Sequence, residues 1–186
     1  KELRYIPEAD LNILDPVWST STIVQVYGHL VFDTLYGFDK DYNVHPQMAE
    51  SHVVSDDKLQ WTIKLRDGLQ FHDGQPVLAK DCVASINRWG KRDAMGQKLF
   101  TFVQNLDSPA PDTFRIFLRE ACGFVIEALG KPSSNVPFIM PKRVADTPAD
   151  KQIDDYTGSG PYVFKRDEYK PGDKAVYLKN TKYVPR

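Results

Sequence analysis

The sequence is poor in cysteine, with only Cys82 and Cys122 in 186 residues. That excludes a disulfide-scaffolded miniprotein and leaves the redox compartment open. It has no apolar run near the ~20 residues that a helical membrane span needs. It has no charge excess either: 24 Lys and Arg stand against 25 Asp and Glu, for a net charge of −1. The electrostatic footprint of a nucleic-acid or anionic-membrane binder is therefore missing. With 11 Gly and 13 Pro there is no collagen-like or low-complexity class to consider, and no internal repeat is visible. The N-terminus, Lys1-Glu2-Leu3-Arg4-Tyr5-Ile6, lacks both an initiator Met and an apolar signal region. The expectation is a processed or trimmed chain, either cytosolic or with its signal peptide removed. The C-terminus stops just past a strand-like stretch, which suggests truncation there too.

What is present suits a globular chain. Apolar residues make up 41% and charged residues 26%, enough to build a core. Leu3 to Ile6 alternates and predicts a short strand. Ile23, Val26, Tyr27, Leu30 and Val31 recur at helical spacing after the cap candidates Ser19, Thr20 and Ser21, predicting a helix over 22–35 with Gly37 as its stop. Leu59, Trp61, Ile63 and Leu65 alternate with polar residues and predict a strand with one apolar face, paired back on 53–54 through the 56–58 turn. Asp67-Gly68 and Asp73-Gly74 mark reversals. A helix is expected from 78–81 onward with Val83, Ile86, Trp89 and Gly90 on one face, and further helical turns at 92–101. Strands at 102–103 and 114–118 flank a Pro-rich turn, a short helix runs from 124 to 129, another lies near 141–146, and 162–165 pairs with 175–178. Strands and helices mix without a βαβ alternation, so a mixed α/β (α+β) fold is expected rather than a doubly wound parallel sheet.

The chemistry-bearing residues read mostly as structural. His29, His45, His52 and His72 show no metal-ligand spacing, and His72 in Phe71-His72-Asp73-Gly74 reads as a turn brace. There is no Gly-x-Ser-x-Gly elbow, and Pro161 removes an amide next to Gly158-Ser159-Gly160. Asp56-Asp57 and Asp154-Asp155 sit in turn-like sequence. Trp61 and Trp89 read as core. Trp18 lies in a polar loop between Asp15-Pro16 and a helix, where an aromatic is either a surface anchor or part of a ligand wall. Cys82 and Cys122 read as buried thiols, although sequence leaves their pairing open.

From residue 50 the sequence resembles a known signature. Glu50-Ser51, the stretch from Ser55-Asp56-Asp57-Lys58-Leu59-Gln60-Trp61 through Phe71-His72-Asp73-Gly74-Gln75-Pro76-Val77, and Ala79-Lys80-Asp81-Cys82-Val83-Ala84-Ser85-Ile86-Asn87-Arg88 are similar to bacterial extracellular solute-binding proteins of the peptide/nickel class, family 5. Leu14-Asp15-Pro16 and Gly158-Ser159-Gly160-Pro161-Tyr162 match further landmarks in the right order. Two departures stand out. Cys82 replaces the usual valine, and Asn180-Thr181-Lys182-Tyr183-Val184 lacks the family's proline and tryptophan.

The resemblance implies a periplasmic-binding-protein-like type II fold, of which this chain would be the N-terminal lobe, shortened relative to the family. Residues 1–36 would open lobe I, 37–157 would form an inserted β-rich subdomain, 158–186 would hold return strands, and the second lobe would be absent. It implies the substrate-binding component of an ABC importer, a hinged clamp without catalytic residues, metal or cofactor, taking peptides or peptide-like solutes. The ligand-facing residues expected here are Trp18, Ser19 and Thr20, with Gly158, Ser159 and Gly160 close by and Asn135 as a third element. Partners would be the ligand and the permease subunits, not nucleic acid, with the full-length protein a monomer. Its place would be the periplasm, or the cell exterior as a membrane-associated lipoprotein. The alternatives are a peptide-sensing interaction module on the same fold, or a hydrolase using Ser159 or a histidine.

Overall fold

The period-two stretch around Trp61 is the centre of the main sheet. The computed structural model describes residues 2–185. In chain order the elements are α1 (Thr22–Val31), β1 (Tyr36–Phe38), β2 (Val44–Pro46), β3 (Ala49–Val54), β4 (Gln60–Leu65), α2 (Ala79–Arg92), α3 (Ala94–Phe102), β5 (Val103–Ala110), β6 (Thr113–Leu118), α4 (Val125–Gly130), α5 (Lys142–Ala145), β7 (Tyr162–Phe164) and β8 (Tyr177–Lys179). A single 3₁₀ turn, Arg166–Glu168, lies between the last two strands.

The sheet is antiparallel in the order β3-β4-β6-β5. Trp61 faces Ile116 and Ile63 faces Phe114 across the β4–β6 pair. That register collects Ile63, Leu65, Phe114, Ile116 and Leu118 on one buried face. Helix α2 covers it with Cys82, Ile86 and Trp89, all buried. Each such side chain contributes roughly 1.5–3 kcal/mol by leaving water. Trp61 is half-buried at the margin of this core rather than inside it. The reversals expected at Gly68 and Gly74 are there, with φ of 78° and 85°. Two smaller antiparallel pairs, β1–β2 and β7–β8, flank the sheet. Both cysteines are buried and free.

Two expectations about the N-terminal third are corrected. Residues 3–6 form no strand, because no neighbour pairs with them; Leu3 and Ile6 are 91% and 93% exposed. Helix α1 stops at Val31, well short of Gly37, which lies in β1. Phe32 turns extended at φ −109° and ψ 172°, and Asp33 pairs with Ile139, so a tertiary bridge takes the chain out of the helix. The apolar stripe of α1 packs inward as its periodicity marks, with Tyr27 and Val31 buried and Ile23 and Leu30 against the core; Val26 alone departs from it. Val24, Gln25, Tyr27, Gly28 and Val31 are buried, whereas Val26 is 41% exposed. Gly28 lies on that buried face. A Cβ there would lie 2.5 Å from the Phe138 ring, so the missing side chain is what admits the ring.

Candidate functional site

The loop before α1 is built around a buried carboxylate. Asp15 is fully buried, and its Oδ1 accepts from the Val17 and Trp18 amides at 3.0 and 3.2 Å. Its Oδ2 accepts from the Ile153 amide at 3.1 Å. Arg88 of α2 meets both oxygens, at 3.2 and 2.7 Å, as a two-pronged pair with side chains 2% and 0% exposed. The same guanidinium donates to the carbonyls of Thr147 and Lys151. One ion pair thus holds the loop to α2 and to the 147–153 segment.

The carbonyls of this loop are each taken by a side chain. Gln25 Nε2 donates to Pro16 and Ser19, Asn135 Nδ2 to Val17 at 2.9 Å, and Arg92 Nη2 to Trp18 at 3.2 Å. Asn135 is itself fixed, since its carbonyl accepts from Trp89 Nε1 at 2.7 Å. Residues 16–19 are therefore a rigid platform, with Trp18 and Ser19 half-buried and Thr20 exposed. Rigidity of this kind lowers the ordering cost of binding. Ser21 stands at the N-cap of α1 but makes no side-chain cap bond, and no acidic residue occupies the first turn. Instead Ser19 Oγ accepts from the Ser21 amide.

The charge beside the platform is positive. The Arg92 guanidinium lies 4.2 Å over the Trp18 ring. It is half-buried and has no carboxylate partner among the described residues. Its neighbour Asp93 caps α3 through the Gly96 amide and is neutralised by Lys131 at 2.6 Å. Lys131 opens the exposed 132–134 segment that leads to Asn135, with Ser134 at a left-handed φ of 63°. An uncompensated guanidinium next to an uncapped helix N-terminus favours an anion.

Of the residues expected from sequence, the structure brings Trp18, Ser19, Thr20 and Asn135 together. Gly158, Ser159 and Gly160 are elsewhere: they pack on Val31 and Phe32 at the opposite end of α1, roughly 15 Å away for ten residues of helix. A Cβ on Gly158 would sit 1.9 Å from the Val31 carbonyl oxygen, and one on Gly160 2.6 Å from that of Phe32. These glycines permit close backbone packing. His72 braces this segment as well as its own turn. Its Nδ1 faces the Gly158 amide at 3.4 Å, and its Nε2 faces the Gly160 carbonyl at 3.0 Å. Burial lowers its pKa. With both ring nitrogens engaged by backbone, His72 makes no bond to Ser159, whose buried Oγ has no partner among the described residues. Among the described residues no group of three or more His, Cys, Asp or Glu is placed to hold a metal ion.

Arg92 and Lys131 escaped the sequence reading. A Lys91-Arg92 pair in the last turn of a helix is fully explained by the helix dipole, and that explanation hides the stacking on Trp18.

A family model described as bacterial extracellular solute-binding proteins, family 5 Middle, matches residues 43–186. A probable peptide ABC transporter periplasmic-binding protein of Sinorhizobium fredii is 41% identical over 177 residues, covering 95% of this chain and 33% of that protein. The glutathione-binding protein GsiB of Escherichia coli K12 is 29% identical over 158 residues, covering 83% of this chain and 30% of that protein. Among solved structures, a dipeptide-binding protein from Pseudoalteromonas sp. SM9913 in complex with Met-Leu superposes with a TM-score of 0.79 at 17% identity, over 95% of this chain and 39% of that one. The mannopinic acid complex of MoaA from A. tumefaciens R10 gives 0.78 at 25% identity, over 94% and 36%. The chain spans about a third of the length of the curated relatives it matches.

Proposed function

The chain belongs to the bacterial extracellular solute-binding proteins, family 5, and on that premise we propose that it is the N-terminal part of the solute-capturing component of an ABC importer. Its fold is the mixed α/β fold of type II periplasmic binding proteins. The whole protein would close two lobes over a peptide or peptide-like solute and hand it to a membrane permease, in the periplasm or at the cell exterior. No helix among the described residues is long and apolar enough to cross a membrane. Residues 37–157 would be the inserted subdomain, carrying the four-stranded sheet and α2 to α5. The role is binding, not catalysis.

The observation that carries this reading is the platform at 16–19, whose carbonyls are held by Gln25, Asn135 and Arg92. A loop so constrained presents Trp18 and Thr20 in one geometry, as a binding wall requires. Arg92 and the free N-terminus of α1 add a preference for a solute carrying a carboxylate. In that respect a peptide C-terminus, glutathione and an opine share one chemistry.

The test is calorimetric titration of the intact protein with dipeptides, longer peptides, glutathione and opines, each beside its amidated or esterified analogue. A binder with Kd in the micromolar range or below is expected, with the blocked analogue at least about tenfold weaker. Arg92→Met should weaken the acid by about 30-fold, the ~2 kcal/mol of a buried interfacial Arg, and weaken the analogue markedly less, by the loss of the Trp18 carbonyl bond alone. Equal affinity for acid and analogue would overturn the carboxylate preference. Turnover of any of these solutes would overturn the binding role.

A further inference from the structure

We propose a second binding surface: a groove on the solvent side of α2 that docks an extended acidic segment of a partner protein. The groove has a volume of about 320 Å3 and lies between α2 and the 142–149 segment. Lys80, Ala84, Asn87 and Lys91 line its α2 side. Their spacing of four, three and four residues places them in one stripe along the helix. Lys80 and Lys91, at the two ends, are exposed and have no ion-pair partner among the described residues. Across the groove Lys142 is already paired with Asp146 at 2.5 Å. Arg88 in the floor is neutralised by Asp15. The two terminal lysines therefore leave the groove with two uncompensated positive charges, on a chain whose net charge is −1.

The spacing selects the occupant. Eleven residues of helix put the two Cα atoms roughly 16 Å apart. An extended chain covers that distance in about five residues. The wall between them is small and apolar, at Val83, Ala84 and Pro148, which suits short side chains. Asn87 lies between the two lysines, nearer Lys91, half-buried and with no side-chain hydrogen bond among the described residues. Its amide can serve both a backbone N–H and a backbone carbonyl of a strand-like guest. The floor cannot collapse on that guest, because Arg88 is held by Asp15, Thr147 and Lys151. Acidic residues about five apart in an extended stretch would meet both lysines while backbone bonds to Asn87 fix the register.

The groove shares Arg88 with the ion pair that anchors the platform, but none of the residues proposed to touch the solute, so its test needs no solute. Fluorescein-labelled hexaglutamate is titrated with the intact protein by fluorescence anisotropy at low and physiological salt. Lys80→Glu/Lys91→Glu is compared with Lys58→Glu/Lys174→Glu, which reverses two exposed lysines elsewhere. Binding that weakens with salt is expected from the wild type and the control. The groove variant should lose at least about tenfold, and Lys80→Gln/Lys91→Gln should fall between the two. Asn87→Ala, which keeps both charges, should weaken binding severalfold. Unchanged melting of the groove variants shows that the loss is local. The proposal is overturned if the wild type does not bind, if the control loses as much as the groove variant, or if Asn87→Ala changes nothing. It is also overturned if anionic phosphatidylglycerol vesicles compete fully with the peptide through the control lysines.

Discussion

Replacing Asp15 by Asn should be among the most damaging single changes in this chain. The substitution keeps the size and one acceptor oxygen but removes the charge opposite Arg88, a guanidinium with 2% exposure. Removing one member of a buried pair costs about 3–5 kcal/mol, because the other charge is left buried without a partner. For a cooperative unit of 186 residues the unfolding entropy is about 0.4 kcal/mol per kelvin, so the melting temperature should fall by roughly 8–13 °C. The stronger expectation concerns the double variant Asp15→Leu/Arg88→Met. In many proteins a well-packed apolar replacement of a buried pair is neutral or better. Here it should not be. The pair also serves the amides of Val17 and Ile153 and the carbonyls of Thr147 and Lys151. Four backbone groups would lose a partner at about 1 kcal/mol each, so the double variant should stay about 3 kcal/mol or more below the wild type. Urea unfolding followed by tryptophan fluorescence measures all three proteins. A double variant within 1 kcal/mol of wild type would refute the view that this pair organises backbone rather than merely neutralising itself.

Asn135→Ala removes the donor to the Val17 carbonyl and should cost about 1–2 kcal/mol in the same unfolding assay, with a larger proportional loss of solute affinity than of stability. Gly158→Ala drives a methyl group into the Val31 carbonyl, 1.9 Å from where its Cβ would lie, and should destabilise by about 3 kcal/mol or more, readable as a fallen melting temperature or as loss of soluble protein. Asp33 gives a pH dependence. Burial pushes its carboxyl up to about 6, against opposing hydrogen bonds from Thr34, Gln47 and Tyr183 and the charge of Arg66. A carboxyl that holds its proton more tightly when folded makes the native state less stable as pH rises through the interval from the unfolded value near 4 to about 6, by up to ~3 kcal/mol. Urea midpoints measured across that interval should fall with pH in the wild type and stay flatter in Asp33→Asn; identical slopes would rule the residue out.

The β4 strand, the two Asp-Gly reversals, α2 and the final hairpin were legible because each is encoded locally. Alternation at 59–65 needs only a pleated backbone with one buried face, and the signature from 50 to 88 is continuous in the chain. Trp18 was legible as an aromatic in a polar loop and a ligand-wall candidate, although the guanidinium that stacks on it was not. The misses share one cause. The end of α1 depends on Asp33 pairing with Ile139. Arg92 joined the candidate site only when Trp18, 74 positions away in the chain, came under its guanidinium. The close packing of Gly158 and Gly160 on the Val31 and Phe32 carbonyls is set by residues more than 120 positions away in the chain. Composition and local pattern determined the class of fold and most of the element types, since those follow from propensity and periodicity over a few residues, while the family was read from the resemblance of the 50–88 stretch to a known signature. Which faces meet, which carbonyls are held and where a charge is left without a partner were decided by the tertiary structure, because close packing and hydrogen-bond completion are properties of groups brought together from distant parts of the chain.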